Sequence, residues 1–384
     1  MKSTQQLHDL GQSLWLDNIT RGVLRDGTLR RYISELSVTG LTSNPTIFFH
    51  SLEKGDLYDD SIRRLLAEGR SGEAMFFRLA LEDLREAADL FRPVHDATSG
   101  ADGWVSLELS PLLANDTAGS ISAAVELQRQ AQRPNVFIKI PGTPEGVPAI
   151  EESIFRGVPI NVTLLFSPAQ YVAVAEAYMR GIERRLEAGL DPKVASVASL
   201  FVSRWDVAVQ ETVPSALRNR LGIAVAQRTY REYRRVLSSP RWRALASSGA
   251  LPQRMLWAST GTKDPKAPDT MYVEALAAPD TIDTMPDKTL LAFADHGTVH
   301  GVMSEDGGDS DRVLSEFARA GIDETALAAR LQREGTASFD KSWTDLLRLL
   351  DAKTNELSPR DRAAAQVQTA EARHAAEHTE SHTR

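Results

Sequence analysis

The sequence predicts one α/β domain, a closed (β/α)8 TIM barrel of eight parallel strands with additional helices. Eight short β-rich runs alternate with longer amphipathic stretches, which is the pattern of a parallel barrel. A doubly wound open sheet is the competing architecture, and it usually places a G-x-G-x-x-G turn after its first strand. Residues 18–22 read Asn-Ile-Thr-Arg-Gly instead, so we favour the barrel.

The predicted strands are short runs rich in β-branched and other apolar residues. They cover residues 13–17, 38–42, 104–109, 135–140, 159–165, 196–202, 255–260 and 289–293. Helical spacing of apolar residues predicts helices at 72–91, 229–246, 270–277, 311–320 and 342–350. Another helix is predicted to begin after Ser167, because serine is a good N-cap and Pro168 suits the first helical position.

Composition limits the classes of function. The chain has 384 residues, 42% of them hydrophobic and 25% charged, so it can bury a core without cross-links. The absence of cysteine excludes disulfides, thiolate metal sites and a cysteine nucleophile. A net charge of −8 argues against a nucleic-acid binder. No stretch resembles a signal peptide or a membrane span, so we expect a cytoplasmic protein without a membrane partner.

The pattern changes near the C-terminus. Apolar periodicity stops at about Leu357, and residues 358–384 are mainly small, polar and charged. We expect the barrel to occupy residues 1–357 and the tail to be disordered, because it can bury little apolar surface. His374, Glu377 and His378 match the H-x-x-E-H zinc pattern, but no further ligand follows them, so no metal site is predicted.

Several predicted strands carry a polar residue on the face opposite their apolar stripe. In the run 135–140, Val136, Ile138 and Ile140 share one face, whereas Lys139 lies on the other face with Phe137. Glu108 stands opposite the apolar face of the run 104–109 in the same way.

The same alternation recurs in two more runs. Asn161 and Thr163 oppose the apolar face of 159–165, and Asp17 shares a face with Trp15 in 13–17. A single case would be explained as an edge or solvated side chain, but four strands repeat the arrangement. Barrel active sites form at the carboxyl ends of the strands, so we predict that these side chains converge there.

A lysine between two carboxylates predicts Schiff-base chemistry. Burial disfavours the charged ammonium, and a neutral amine attacks carbonyl groups. Glu108 could relay protons while the carbinolamine forms and dehydrates, and Asp17 could accept a hydroxyl proton when a carbon–carbon bond breaks. The iminium would serve as the electron sink. This chemistry needs neither a metal nor an organic cofactor, so none is predicted.

At these residues the chain resembles the transaldolase family, and most closely its longer bacterial branch. The motifs are TGLTSNPT at 39–46, VSLE at 105–108, FIKIPGT at 137–143 and INVTLLFS at 160–167. The resemblance implies a cofactor-free barrel of the non-oxidative pentose phosphate pathway. Such an enzyme moves a dihydroxyacetone unit from sedoheptulose 7-phosphate or fructose 6-phosphate to glyceraldehyde 3-phosphate or erythrose 4-phosphate.

The resemblance also implies roles for individual residues. Lys139 would form the Schiff base, and Glu108 would act as acid and base through a water molecule, supported by Thr163. Asp17 would accept the proton of the retro-aldol step. The residues that would hold the ketose hydroxyls are Thr42, Asn44, Asn161 and Ser199.

The phosphate contacts depart from the family pattern in one place. Arg204 would bind the phosphate, for which its forked guanidinium is well suited. Many members have a Ser-x-Arg pair at the end of the seventh strand. Here Ser259 is retained and the nearest cation is Lys263, which would act as a point charge or would simply be a solvated loop lysine.

Two alternative functions, one candidate metal pair and the oligomeric state stay open at this point. A fructose 6-phosphate aldolase-like lyase would release the three-carbon unit instead of transferring it. A non-catalytic barrel could bind a sugar phosphate, although such a protein would be expected to lose the lysine or a carboxylate. His296 and His300 could mimic a metal-binding pair, but the sequence between them favours a loop or strand end. A monomer and a homodimer are both compatible with the sequence.

Overall fold

A computed structural model describes residues 1–358 of the chain, and within them eight parallel strands form a closed barrel. Neighbouring strands follow chain order, and the last pairs with the first. The strands are β1 (Ser13–Asp17), β2 (Val38–Thr42), β3 (Val105–Glu108), β4 (Val136–Pro141), β5 (Ile160–Leu165), β6 (Ser196–Phe201), β7 (Gln253–Ala258) and β8 (Thr281–Met285). The closed barrel confirms the predicted fold class and rules out the open sheet.

Helices surround this barrel and connect its strands. Up to β5 they are α1 (Ser3–Asp9), α2 (Arg21–Arg25), α3 (Thr28–Glu35), α4 (Pro45–Glu53), α5 (Asp59–Ala67), α6 (Gly72–Ala97), α7 (Thr117–Ala131) and α8 (Gly146–Phe155). The later ones are α9 (Pro168–Glu187), α10 (Ser203–Val209), α11 (Leu221–Ser238), α12 (Pro240–Ser247), α13 (Met271–Ala275), α14 (Asp287–His296), α15 (Ser310–Arg319) and α16 (Glu324–Leu357). Among the described helices, none combines the length and the apolar character needed to cross a membrane.

Strand alternation divides the apolar residues into two layers. Outward residues such as Leu14 and Ile138 pack against the helices, whereas inward residues such as Trp15 and Phe137 fill the barrel. Gly40 on β2 makes room for the Trp15 ring, because a Cβ atom at this position would lie 2.5 Å from the ring. The alternation predicted from the sequence for β1 and β4 is therefore confirmed.

Polar side chains close the amino-terminal end of the barrel, and we call Ser13, Trp15, Asp102 and Arg254 the barrel floor. The Asp102 carboxylate accepts hydrogen bonds from Ser13 Oγ and from Trp15 Nε1, the latter at 2.8 Å. Arg254 donates to Ser13 Oγ at 2.7 Å and to the carbonyl oxygen of Ala101 at 2.9 Å. Each of these four side chains therefore has a hydrogen-bond partner within the floor, although Arg254 is only half-buried.

One predicted strand is wrong. Residues 289–293 form part of α14, and the eighth strand is instead Thr281–Met285. The run 289–293 is apolar like a buried strand, but Pro286 and Asp287 start a helix before it. The true β8 contains Asp283, a residue type that strands disfavour, so its sequence did not stand out.

Other boundaries differ from those predicted: the helix predicted at 342–350 is part of α16, which begins at Glu324, and smaller shifts occur elsewhere. The seventh strand lies two residues earlier than predicted, and Ser259 follows it in the left-handed region with φ 58°. The helix predicted at 229–246 is two helices, because Ser239 caps α12 through a hydrogen bond from Trp242 N and Pro240 starts it. The predicted start of α9 is confirmed, since Ser167 Oγ accepts a hydrogen bond from Gln170 N.

Helix α16 lies against the carboxyl ends of the strands, which we call the barrel mouth. It contacts α4 and β5, and Gln332 donates hydrogen bonds to the carbonyl oxygens of Gly142 at 2.9 Å and Leu164 at 3.0 Å. Leu164 has a φ of 59°, next to an irregularity in the β5–β6 pairing. Gln332 thus joins α16 to the strand ends that follow Lys139 and Thr163.

Residues 359–384 lie outside the described residues. The zinc-type motif at His374, Glu377 and His378 falls in this range, and the predicted disorder of the tail stays a prediction.

Candidate active site

Lys139 and Glu108 form the centre of the barrel mouth. The two residues are register partners on β4 and β3, so both side chains project into the barrel at the same height. Lys139 Nζ forms an ion pair with Glu108 Oε1 and donates a hydrogen bond to the carbonyl oxygen of Ser43 at 3.1 Å. Only 7% of the Lys139 side chain and 10% of the Glu108 side chain are exposed, so the pair is shielded from water.

Burial is the main influence on the protonation of the Glu108 carboxyl. It raises the pKa of Glu108 above its ordinary value, and the neighbouring Lys139 ammonium opposes the rise. The negative charge of Asp17 adds to the increase in the pKa of Glu108, and Arg204 works against it. A carboxyl with a raised pKa exchanges protons more readily near neutral pH, which is what an acid/base group requires.

Asp17 ends β1 and lies beside Thr42, its register partner on β2. Thr42 Oγ1 donates a hydrogen bond to Asp17 Oδ1 at 2.9 Å, and Asn44 also hydrogen bonds to the carboxylate. Burial raises the pKa of Asp17, whereas Lys139 and the hydrogen bonds from Thr42 and Asn44 oppose this rise. Asn44 also caps α4, since its side chain accepts a hydrogen bond from Ile47 N at 3.1 Å.

Polar residues of the neighbouring strands continue the site. Ser199 Oγ on β6 donates to Asn161 Oδ1 at 2.7 Å, and Asn161 Nδ2 donates to Ser106 Oγ at 3.1 Å. Thr163 Oγ1 is buried and has no hydrogen-bond partner among residues 1–358. The interior therefore offers one fixed amide and one hydroxyl with unused hydrogen-bonding capacity.

Arg204 provides a cation on the opposite wall of the mouth. Its guanidinium lies 4.9 Å from the ring centre of Phe201 and 5.8 Å from that of Phe339. It makes no hydrogen bond or ion pair with any other described residue, and burial lowers its pKa. A half-buried guanidinium without a partner carries an uncompensated charge, so this position suits the binding of an anion.

Ser259 and Lys263 follow β7 beside Arg204. Ser259 Oγ shares a hydrogen bond of 2.8 Å with Ser203 Oγ. Lys263 is exposed, and within the described part of the chain its ammonium has no ion-pair partner. Two cations thus border the same cavity as Lys139.

These side chains line one connected space. A cavity of about 140 Å³ is bordered by most of the predicted site residues, namely Asp17, Thr42, Asn44, Lys139, Thr163, Ser199, Arg204, Ser259 and Lys263. A wider cleft of about 560 Å³ shares Arg204, Ser259 and Lys263 with it and opens outward. Glu108 and Asn161 contact the cavity-lining residues Lys139 and Ser199. The structure therefore brings all the predicted site residues together.

Comparison with known proteins agrees with this arrangement. Residues 14–350 match the family model described as transaldolase/fructose-6-phosphate aldolase. The chain belongs to this family. It is 46% identical to the transaldolase of Thermobifida fusca, over 89% of this chain and 96% of that one. Transaldolases of Saccharopolyspora erythraea and Thiobacillus denitrificans are each 44% identical, over 89% and 90% of this chain and 95% and 99% of theirs.

The cavity also has lining residues that the sequence analysis did not name, including two that lie outside the predicted strands and their ends. Phe339 on α16 borders the cavity, and so does Thr284 on β8. Phe339 lies far along the chain from Lys139, and nothing in its helical pattern separates a cavity residue from a core residue. Thr284 was missed because β8 was assigned to the wrong residues; its hydroxyl would otherwise have been found by alternation with Ile282.

The loop or strand-end setting expected for the histidine pair is found for His300 but not for His296. His296 is the last residue of α14, not part of a strand, and contacts Asp269 at 2.9 Å and Asp295 at 3.2 Å. His300 lies beyond the helix, with Nε2 3.7 Å from Glu274 Oε2. Among residues 1–358 no group of three or more His, Cys, Asp or Glu side chains is arranged to hold a metal ion.

Proposed function

We propose that this chain is a transaldolase that transfers a dihydroxyacetone unit between sugar phosphates through a Schiff base on Lys139. The observation that carries the proposal is the grouping of a buried lysine, two carboxyls of raised pKa and an unpaired guanidinium around one cavity. Each group corresponds to one requirement of the reaction: a nucleophile, proton carriers and an anion contact.

The first step is imine formation. Lys139 Nζ first gives a proton to Glu108, and the neutral amine then attacks the C2 carbonyl carbon of the ketose phosphate. Glu108 returns the proton to the carbinolamine hydroxyl, which leaves as water to give the iminium. Glu108 is the proton carrier of this step. A small cavity of about 20 Å³, bordered by Glu108, Lys139 and Thr163, can admit about one water molecule. The unpartnered Thr163 hydroxyl is available to bind that water, which would then connect Glu108 with the reacting atoms.

The second step breaks the C3–C4 bond. Asp17 accepts the proton of the C4 hydroxyl, the aldehyde leaves, and the electron pair of the broken bond moves into the iminium to form an enamine. Asp17 must be ionised for this purpose, and the hydrogen bonds from Thr42 and Asn44 favour its charged form. The enamine then attacks the acceptor aldehyde, and hydrolysis of the new imine releases the product.

The phosphate is bound at the other end of the cavity. Arg204 is held between two aromatic rings with its donors free, and Lys263 adds a second positive charge beside Ser259. Because both cations border the outward cleft as well, a phosphate there can remain partly hydrated while the sugar carbons reach Lys139. The hydroxyls of the ketose are proposed to contact Thr42, Asn44, Asn161 and Ser199.

A fructose 6-phosphate aldolase-like lyase is the second candidate, because the family description includes that activity. Transfer is favoured because the similar proteins over most of the chain are named transaldolases. A non-catalytic sugar-phosphate barrel is disfavoured, since Lys139, Glu108 and Asp17 are all retained and adjacent. We further propose a cytoplasmic enzyme that is a monomer or homodimer, which cell fractionation and light scattering would test.

Borohydride trapping tests the proposed function. The protein is incubated with fructose 6-phosphate and borohydride, and the modified peptide is identified by mass spectrometry. We expect a reduced three-carbon adduct on Lys139, which reports both imine formation and cleavage. Added erythrose 4-phosphate should yield sedoheptulose 7-phosphate. If no lysine of the folded protein is modified, the Schiff-base proposal is wrong.

A further inference from the structure

Thr284 on β8 carries a buried hydroxyl to which the proposed mechanism gives no role. Its Oγ1 lies 2.7 Å from Thr42 Oγ1, and Thr42 Oγ1 donates to Asp17 Oδ1 at 2.9 Å. Thr284 is 4% exposed and Thr42 is 2% exposed, so bulk water does not compete for these bonds. The three side chains form a short hydrogen-bonded line from β8 to β2 to β1.

The direction of these hydrogen bonds follows from counting protons. A hydroxyl has one hydrogen to donate, and an ionised carboxylate has none. Thr42 therefore uses its hydrogen for Asp17, and the bond between the two threonines must be donated by Thr284. This arrangement leaves Thr42 with one further lone pair for a substrate hydroxyl. It also strengthens the Thr42 donor, because hydrogen bonds in a chain polarise one another.

The neighbouring strands and the Trp15 ring hold these three side chains in place on the side away from the cavity. Strand β1 lies between β8 and β2 in the closed sheet, so inward residues of β8 and β2 meet above its Trp15 side chain. The Trp15 ring occupies the space that Gly40 leaves open one layer below Thr42. The indole NH of Trp15 donates to Asp102, so the ring offers the hydroxyls no competing donor or acceptor.

We propose that Thr284 is a positioning residue, whose hydroxyl orients Thr42 so that Asp17 is held as a carboxylate for the cleavage step. The inference rests on the proposed function and assigns it one more residue. Thr284 acts through Thr42 and not on Lys139. Its loss should therefore affect carbon–carbon cleavage while leaving imine formation unchanged.

Three charged groups that face Asp17 also affect its ionisation. Lys139 favours the carboxylate, whereas Asp287 and Glu108 disfavour it. All three are unchanged by a substitution at Thr284. A shift in the acidic limb of the pH–rate profile for cleavage would therefore report the altered hydrogen bond to Asp17.

The experiment compares Thr284→Val, which keeps the shape without the hydroxyl, with Thr284→Ser, which keeps the hydroxyl. Single-turnover cleavage of fructose 6-phosphate is measured against pH, and borohydride trapping of dihydroxyacetone on Lys139 reports imine formation alone. For Thr284→Val we expect cleavage to slow by roughly three- to tenfold. We also expect the midpoint of the acidic limb of the pH–rate profile to move up by about 0.5 to 1 pH unit. Trapping should stay within about twofold, and Thr284→Ser should resemble the wild type.

A double-substitution cycle gives a second test. Thr42→Val should slow cleavage, and adding Thr284→Val should cause little further loss, because Thr284 acts only through Thr42. Thr284→Ala replaces Thr284→Val if the latter does not fold. The proposal is overturned if Thr284→Val leaves the cleavage rate and its pH dependence unchanged, or if it lowers dihydroxyacetone trapping as much as cleavage. It is also overturned if Thr284→Ser cleaves as slowly as Thr284→Val, or if the losses in the cycle multiply. A wild-type enzyme that traps no adduct would instead refute the proposed function.

Discussion

The two ends of the barrel use buried polar residues in opposite ways. At the floor, the Asp102 carboxylate is fully occupied by Ser13, Trp15 and the backbone NH of Gly103. At the mouth, Thr163 has an unused hydroxyl and Arg204 an unpaired guanidinium within the described chain. Satisfied groups contribute to stability, whereas groups with spare capacity can bind or react with a ligand. Burial alone therefore does not identify a functional residue; at the mouth, burial is combined with unused bonding capacity beside a cavity.

Replacing Lys139 at the mouth should produce the largest effect. Lys139→Met removes the nucleophile and keeps a chain of similar length, so we expect ketol transfer to fall by at least about 10⁴-fold. Glu108 can take up a proton when its partner is lost, so the fold should persist, as circular dichroism would show. Lys193→Met, at an exposed position, is the control and should keep full turnover. Near-normal transfer by Lys139→Met would contradict the mechanism.

Glu108→Gln keeps the shape of the side chain but removes its proton exchange. Imine formation should slow by roughly 10² to 10⁴-fold, because a general acid/base contributes about that much. Stopped-flow or rapid borohydride quenching would measure the rate. Glu126→Gln, on the exposed surface of α7, is the matched control. An unchanged imine rate in Glu108→Gln would mean that neither the charge of Glu108 nor its proton exchange contributes to this step.

At the floor, stability should change far more than activity. Asp102→Ala leaves Ser13 and Trp15 as buried donors without an acceptor, so the free energy of unfolding should fall by about 2–4 kcal/mol. Turnover of the protein that remains folded should stay within about threefold. Urea unfolding gives the first quantity, with the exposed Asp60→Ala as control. If Asp102→Ala reduced turnover as strongly as Glu108→Gln, the division between floor and mouth would be wrong.

The smallest expected effect concerns Asp283, a buried carboxyl on β8 outside the cavity. Burial raises its pKa from 3.8 to about 7, and Thr260 is its hydrogen-bond donor at 2.7 Å. The folded state therefore binds an extra proton, and stability is lost as pH rises from about 4 through 7. Asp283→Asn should be more stable than the wild type by roughly 1–3 kcal/mol at pH 8 and show little gain near pH 4.

Denaturant unfolding at both pH values measures this difference, and the exposed Asp60→Asn is the control. An equal gain at pH 8 and pH 4 would mean that the charge of Asp283 is not the cause. The result would distinguish a raised pKa that affects stability from one that affects catalysis. The pKa of Asp283 should be visible in stability, and that of Asp17 in the rate of cleavage.

Most of the barrel could be predicted because its first seven strands are short β-rich runs, four of which follow one simple rule. Apolar residues alternate with polar ones, so the outer and inner faces of β1, β3, β4 and β5 can be assigned from the sequence. The eighth strand breaks the rule, because Thr281, Asp283 and Thr284 are polar on both faces. The apolar run in α14 then looked more like a strand than the real one did.

The site could be predicted only where strands supply it. Lys139, Glu108 and Asp17 follow from alternation and strand ends, since their spacing along each strand is fixed. Phe339 comes from α16, whose crossing of the mouth depends on tertiary packing against α4 and β5. No local pattern encodes that crossing, and the hydroxyl line through Thr284 depends on barrel closure between β1 and β8.

The position of α16 at the end of the described chain affects when the site is completed during synthesis. All eight strands leave the ribosome before Glu324, so the barrel can close while the helix that carries Phe339 is still being synthesised. Until then Arg204 lacks one of its two aromatic neighbours, and the carbonyl oxygens of Gly142 and Leu164 lack Gln332. A chain interrupted before α16 would therefore contain the reactive lysine in an unfinished pocket, and only completed molecules would combine the nucleophile with its full binding site.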